Sequence, residues 1–117
     1  MNKIIGNIGE EIAKNYLVKK DYTIIARQYY SLFGEIDIIT KAPNGTLVFC
    51  EVKYYKKNSL VHPIHSITKR KQKRILKTAE YYLYKNNIVN NPIRFDILIV
   101  EKKIIKYHLE NIILKYL

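Results

Sequence analysis

Gly34-Glu35-Ile36-Asp37-Ile38-Ile39, followed after a Pro43-Asn44-Gly45 turn by Leu47-Val48-Phe49-Cys50-Glu51-Val52-Lys53, is the stretch that decides the fold. Both halves have the apolar content of strands in the core of a sheet. They also carry three carboxylates and a lysine. A buried carboxylate is costly unless it is paired or binds a metal. The stretch therefore predicts a divalent-cation site with a cationic partner, and in so basic a chain it predicts a phosphodiester substrate.

The turn between the two strands sets which residues face each other. Pro43-Asn44-Gly45 suits a three-residue hairpin loop, a type I turn followed by Gly45 in the left-handed conformation. Paired residues share a face of the sheet. A four-residue loop would move every side chain of one strand to the other face and separate the acids. The three-residue loop predicts the pairs Lys41 with Leu47, Asp37 with Glu51, and Glu35 with Lys53.

Asp37 and Glu51 are the predicted metal ligands, since Mg²⁺, or Mn²⁺ in its place, prefers hard oxygen ligands and takes one or two carboxylates. Lys53 lies two residues after Glu51 and so on the same face, where it can contact the attacking water or the scissile phosphate. A structural ion pair, such as Glu35 with Lys53, is the alternative interpretation of the same residues.

Length and composition narrow the class of protein. A chain of 117 residues with 48% hydrophobic content predicts one ordered domain over residues 1–117. No apolar run reaches about 18 residues, and the N-terminus lacks a signal-peptide pattern, so no membrane association is expected. The single Cys50 predicts a buried thiol in a reducing cytoplasm. The net charge of +11 favours a polyanionic partner, for which nucleic acid is predicted rather than an anionic membrane surface, although an AT-rich genome would also enrich lysine.

Periodicity along the chain predicts the order α-β-β-β-α-β-β, an α/β fold with a mixed sheet of about five strands flanked by helices. Asn7 is predicted to cap the first helix, with Glu10 as its capping-box partner. Residues 54–65 are predicted to form a loop, and the tail, 111–117, fits either a strand or a helix. Arg94 and Asp96 are predicted to form an internal ion pair. The predicted helices run to residue 19 and over 66–85, and the predicted strands cover 22–30, 34–41, 46–53, 94–101 and 103–109.

The second helix separates apolar from basic residues. Gln72 falls on its apolar face and must find a hydrogen-bond partner, either the catalytic carboxylates, a bound water or a sheet edge. The opposite face forms a basic ridge, which is either a solvated surface or a phosphate-binding surface. Tyr54 and Tyr55 are candidates for stacking on bases. His62 and His65 form only a weak metal signal. The basic ridge consists of Arg70, Lys73, Arg74 and Lys77.

Asp37 is followed, after thirteen intervening residues, by Glu51-Val52-Lys53. This spacing resembles the core of the PD-(D/E)xK nucleases. The chain is more closely similar to the YraN-type family, an uncharacterised bacterial group regarded as relatives of archaeal Holliday-junction resolvases. The matching segments extend over nearly the whole chain. They are Gly9-Glu10-x-x-Ala13-x-x-Tyr16-Leu17, Phe33-Gly34-Glu35-Ile36-Asp37-Ile38-Ile39, Val48-Phe49-Cys50-Glu51-Val52-Lys53, Thr68-Lys69-Arg70-Lys71-Gln72 and Arg94-Phe95-Asp96.

This resemblance implies a restriction-endonuclease-like fold and a Mg²⁺-dependent DNA endonuclease, a hydrolase that acts on branched or repair intermediates. It implies metal binding by Asp37 and Glu51, with Glu10 as a further ligand and Lys53 as the catalytic lysine. Glu35 and Gln72 are expected to assist. Cutting a junction needs two active sites and so predicts a homodimer. The alternatives are an inactive nucleic-acid-binding module and a scaffold in a DNA-processing complex.

Overall fold

A computed structural model describes residues 3–56, 65 and 67–112 of the chain. The predicted α/β layout is confirmed, and most element boundaries fall within three residues of the predicted ones. Residues 57–64, which hold His62 and most of the predicted loop, and the tail from residue 113 lie outside the described residues. The elements are α1 (Lys3–Lys19), β1 (Thr23–Ser31), β2 (Gly34–Lys41), β3 (Leu47–Tyr54), α2 (Lys69–Lys85), β4 (Ile93–Glu101) and β5 (Ile104–Leu109).

Helix α1 begins earlier than predicted. Asn7 lies inside the helix rather than at its N-terminus, so the predicted capping box with Glu10 is wrong. Helical spacing of isoleucines continues one turn further toward the N-terminus, and this outweighs the preference of asparagine for a cap. Asn7 Oδ1 instead accepts a hydrogen bond of 2.8 Å from Gln28 Nε2 in β1. The predicted end at Lys19 is confirmed, and Asp21 follows it with φ 65°.

The five strands form one mixed sheet in the order β1-β2-β3-β4-β5. Strands β3 and β4 are parallel, since α2 connects them, and the other neighbours are antiparallel. Ala13 and Leu17 of α1 pack on one face of the sheet, together with Cys50. Ile75 and Tyr82 of α2 pack on the other face. Two covered faces explain the almost continuous apolar sequence of the central strands.

The predicted hairpin register is confirmed where β2 and β3 pair, whereas the predicted pairs Asp37–Glu51 and Glu35–Lys53 lie beyond the ladder. Gly45 has φ +91° and donates its N–H to Ala42 O, and Ala42 N–H donates to Thr46 O. The ladder between β2 and β3 runs from Lys41–Leu47 to Ile38–Cys50. It stops there, one position before Asp37 and Glu51.

Asp96 is the centre of a buried polar network on β4. Its fully buried carboxylate accepts hydrogen bonds from Arg94 Nη2 at 2.8 Å, from Asn111 N at 3.0 Å, and from His108 Nε2, which lies 2.7 Å away. The predicted ion pair between Arg94 and Asp96 is therefore confirmed. Among the described residues, no helix is long and apolar enough to span a bilayer.

Candidate metal and nucleic-acid site

A cleft opens where β2 and β3 separate, between the ends of the two helices. It collects acidic side chains from three elements and basic side chains from two. We refer to this surface as the cleft. Its charged lining residues are Glu10 from α1, Glu35 and Asp37 from β2, Glu51 and Lys53 from β3, and Lys71 and Arg74 from α2.

The separation of the strands brings Asp37 and Glu51 together. Beyond the pair Ile38–Cys50, the backbone ladder is replaced by a side-chain bond, in which Val52 N–H donates to Asp37 Oδ2 at 2.8 Å. The Asp37 carboxylate therefore connects β2 to β3 at the point where their backbones stop pairing. The Glu51 carboxyl lines the same cleft and lies close enough for the charge of Asp37 to act on it. The predicted meeting of the two acids on one side of the sheet is thus observed.

Burial makes this pair electrostatically unusual. Burial, and then the negative charge of Asp37, hold the pKa of Glu51 well above its usual range. Burial also raises the pKa of Asp37, against the opposing effects of the Val52 N–H and of Lys53. Burial thus makes the ionised form of both carboxyls costly, and a cation bound between them would offset this cost.

Two lysines face the acidic pair. Lys53 extends from β3 as predicted, and Lys71 reaches the same cleft from the first turn of α2. The ammonium of Lys53 lies so close to that of Lys71 that it lowers the Lys71 pKa, to which partial burial adds. The sequence patterns did not single out Lys71 as a residue of the cleft. The available signal was its position next to Gln72, because a residue beside the apolar face of a helix lies at the border of the contact with the sheet.

Glu10 lies buried in the wall of the cleft. Its Oε2 accepts a hydrogen bond of 3.3 Å from Gln28 Nε2, and Arg27 Nε lies 4.0 Å from its Oε1. Gln28 was also missed by sequence analysis. It has φ 49°, a left-handed conformation that residues other than glycine rarely adopt, in the middle of β1. Backbone strain of this kind leaves no signal in composition, and it is often stored at functional sites.

Two buried oxygens in the cleft lack a hydrogen-bond partner among the described residues. They are Glu10 Oε1 and Glu51 Oε1. Such atoms are rare in folded proteins and fit an additional ligand, here a hard cation. Within the described part of the chain, no three His, Cys, Asp or Glu side chains lie close enough to hold a metal. The arrangement therefore fits an ion held by Asp37 and Glu51 with waters or phosphate oxygens, and Glu10 as a direct ligand stays a prediction.

Gln72 and Glu35 occupy different environments from the acidic pair. Gln72 is buried, and its Nε2 donates to Ile67 O at 3.3 Å, so backbone rather than a carboxylate supplies its partner. It is not among the side chains that line the cleft. Glu35 is exposed at the rim, and no ion pair joins it to Lys53. The assisting roles of Gln72 and Glu35 stay predictions.

The basic ridge is exposed along α2, and Arg74 connects it to the cleft. Tyr54 is half-buried and packs on Gly9 of α1, while Tyr55 lies with Lys106 Nζ 5.1 Å from its ring centre. Their base-stacking role stays a prediction. Arg70, Lys73, Arg74 and Lys77 are the four exposed residues of the ridge.

Comparison with known proteins gives one consistent family. The family model described as "Uncharacterised protein family UPF0102" matches residues 9–100. A UPF0102 protein of Clostridioides difficile is 41% identical over 106 residues, which cover 88% of this chain and 92% of the relative. A UPF0102 protein of Lachnoclostridium phytofermentans is 43% identical over 108 residues, covering 91% of each chain.

A third UPF0102 protein, from Persephonella marina, is 40% identical over 108 residues, covering 92% of this chain and 91% of the relative. The matched region, residues 9–100, contains the whole charged lining of the cleft. The resemblance to the YraN-type family is thereby confirmed, and the chain belongs to the UPF0102 family.

Proposed function

We propose that the chain is a metal-dependent nuclease of the PD-(D/E)xK type, which hydrolyses phosphodiester bonds in DNA. The observation that carries the proposal is the Asp37–Glu51 pair at the point where two strands separate, with a buried unpartnered oxygen and two lysines facing it. A plain structural ion pair would match each acid with one base. Here, instead, burial and the charge of Asp37 raise the pKa of Glu51, and the charge of Lys53 lowers the pKa of Lys71, so like charges lie near each other.

Asp37 and Glu51 are the residues that would hold Mg²⁺ or Mn²⁺. Such an ion, when bound, supplies a hydroxide nucleophile from water and neutralises charge on the phosphoryl oxygen. Lys53, which lines the cleft, would orient the attacking water or contact the scissile phosphate. Lys71, next to it, adds a second positive charge for the phosphate. The hydrogen bond from Gln28 Nε2 to Glu10 Oε2 joins α1 to β1 in the wall of the cleft.

The basic ridge extends this site to a longer polyanion. Phosphate contacts from lysine and arginine position a nucleic acid without reading its sequence. A single buried thiol, Cys50, suits a reducing compartment, and we place the activity in the cytoplasm. A branched DNA substrate would require two active sites, and hence a dimer of this chain.

A panel of duplex, flap, four-way junction and single-stranded DNA tests the proposal directly. We expect cleavage of at least one of these in Mg²⁺ or Mn²⁺ and none in EDTA. Calorimetry should detect binding of Mn²⁺ to the protein without DNA, because the acidic pair is present in the folded chain. The proposal is wrong if the metal does not bind and no substrate is cut.

A non-catalytic nucleic-acid-binding module is the second candidate. The absence of a cluster of three metal-binding side chains among the described residues favours it. In that case the basic ridge binds nucleic acid, and the acids of the cleft have a structural role. DNA binding that is indifferent to EDTA, together with absent metal binding, distinguishes this candidate from the nuclease.

Arg74→Ala is expected to reduce the salt dependence of DNA binding. Each phosphate contact that is lost lowers the slope of log K against log salt by about 1. The slope can be measured by fluorescence anisotropy over a range of salt concentrations in EDTA. Lys103→Ala is the matched control, because Lys103 is equally exposed but lies in the turn between β4 and β5. Equal slopes for the two variants would exclude the ridge as a DNA-binding surface.

A further inference from the structure

The tip of the β1–β2 hairpin exposes apolar side chains beside the cleft. We refer to residues 31–34, Ser31-Leu32-Phe33-Gly34, as the hairpin tip. Leu32 is fully exposed and Phe33 is 44% exposed. Tyr30, which precedes them, is 65% exposed and lines the cleft. A single exposed leucine is ordinary, but three large apolar side chains in four residues form a patch that requires an explanation.

The hairpin tip is fixed to α2. Ser31 Oγ lies 2.9 Å from Thr78 Oγ1 and accepts a hydrogen bond of 3.0 Å from Phe33 N. Gly34 has φ +150° and lies beside α2, where a Cβ atom would be in ordinary van der Waals contact with Arg74 Cβ at 3.5 Å. These contacts join the hairpin tip to α2, so Leu32 and Phe33 project from a turn that the helix supports.

Two basic side chains of α2 lie beside this projection. Arg74 and Lys77 line a groove together with the hairpin tip, and Lys77 Nζ lies 5.6 Å from the centre of the Phe33 ring. Gly34 and Arg74 line both this groove and the cleft, so the two surfaces are continuous. An apolar projection between cations matches a ligand with apolar faces and negative charges, which describes stacked bases on a phosphate backbone.

We propose that the hairpin tip is a wedge that inserts beside unpaired bases, so that nucleic acid with an interruption in its base stacking is the preferred ligand. Apolar side chains inserted between base steps unstack them, and this is easiest where pairing is already broken. Arg74 and Lys77 hold the flanking phosphates. This inference rests on the proposed function, to which it adds the substrate class, because the wedge presents the adjacent phosphodiester to the cleft.

Binding of a bulged DNA duplex tests the wedge without any cleavage. The probe carries 2-aminopurine beside the bulge, the reference is the uninterrupted duplex, and EDTA is present throughout. The wild type is expected to bind the bulged duplex about tenfold more tightly and to change the 2-aminopurine fluorescence. Leu32→Ser is expected to lose this preference and the fluorescence change, while its affinity for the uninterrupted duplex stays the same.

Val89→Ser is the matched control. Val89 is 81% exposed and lies in the segment between α2 and β4. In the same segment, Pro92 O accepts a hydrogen bond from Leu47 N at the start of β3, so this segment lies at the end of the strand away from the cleft. This variant is expected to keep the preference. Thermal unfolding checks that both variants fold as the wild type does, and neither change removes a buried contact.

The wedge is overturned if Leu32→Ser keeps the preference for the bulge, or if the wild type has none. It is also overturned if sedimentation shows that Leu32→Ser abolishes self-association of the wild type, since the tip is then a contact between two copies of this chain. A preference for the bulge without any metal-dependent cleavage would refute the nuclease alone. Cleavage without the preference would refute the wedge alone.

Discussion

Asp37→Asn is expected to reduce metal-dependent cleavage of DNA at least about 100-fold. Replacing groups that merely support metal ligands already costs about 10- to 100-fold in affinity or activity, so a direct ligand should cost the upper end of this range or more. The asparagine keeps an oxygen that can accept the hydrogen bond from Val52 N–H. The opening between β2 and β3 should therefore persist, and only the negative charge is lost.

Three measurements identify the cause of the loss. Single-turnover cleavage gives its size, calorimetry with Mn²⁺ shows whether metal binding is lost with it, and anisotropy in EDTA shows whether DNA binding remains. Lys53→Ala is expected to lose cleavage while keeping Mn²⁺ binding, because in the proposed mechanism the lysine acts on water or phosphate rather than on the metal. This difference between the two variants separates the role of the ligand from that of the lysine.

Asp21→Asn is the matched control for the same chemical change. Asp21 is exposed after α1 and has φ 65°, a conformation that asparagine tolerates well. This variant should cleave as the wild type does. Equal cleavage by wild type and Asp37→Asn would assign the activity to a contaminating nuclease and leave the cleft without a catalytic role.

Asp96→Asn is expected to lower the free energy of unfolding by about 3 kcal/mol or more. Breaking a buried ion pair typically costs about 3–5 kcal/mol, because the remaining charge is left buried without compensation. Here the remaining charge is that of Arg94, whose side chain is only 17% exposed and whose other carboxylate partner, Glu110, lies 3.7 Å away and is 58% exposed, so it compensates the charge only weakly. Denaturation by urea at neutral pH measures the effect. Glu11→Gln is the control, since it removes an exposed partner of Arg27, and its effect should be much smaller.

The effect of Asp96→Asn should depend on pH in one direction. Burial alone would raise the pKa of Asp96, but hydrogen bonds from His108, Arg94 and the Asn111 N–H outweigh burial and hold this pKa below its usual value. A carboxyl whose pKa is depressed by folding contributes its full stabilisation only at pH values above the pKa of an aspartate in the unfolded chain, about 4. This contribution is lost as pH falls below that value toward the pKa in the folded chain. The difference between wild type and variant should therefore shrink as pH is lowered from about 5 to about 3.

A difference in unfolding free energy that stays constant over this range would show that the charge of Asp96 does not stabilise the fold. The same series checks for wider acid effects, because the difference between Glu11→Gln and the wild type should stay small throughout. Neither variant alters a side chain whose charge lines the cleft. Stability and cleavage can therefore be assigned to separate parts of the molecule.

Local sequence predicted the hairpin because the turn, the register and the side-chain alternation are all determined within a few residues. Gly45 supplies the left-handed conformation, and the pairing of Lys41 with Leu47 then places Asp37 beside Glu51. The start of α2 is equally local, since Thr68 accepts a hydrogen bond from Lys71 N as an N-cap, although the pattern predicted this start three residues early, at residue 66. The start of α1 was predicted wrongly because Asn7 is bonded to a distant strand rather than to its own helix.

The sequence by itself determined the layout of the chain, the facing pair of carboxylates and the basic ridge, since each follows from periodicity or turn chemistry within one or two elements. Only the tertiary structure decided that Lys71 joins Lys53, that Gln28 holds Glu10, and that the hairpin tip is fixed to α2 at the edge of the cleft. These contacts join residues from 18 to 47 positions apart along the chain. Their geometry depends on how the helices pack on the sheet, which no local pattern specifies.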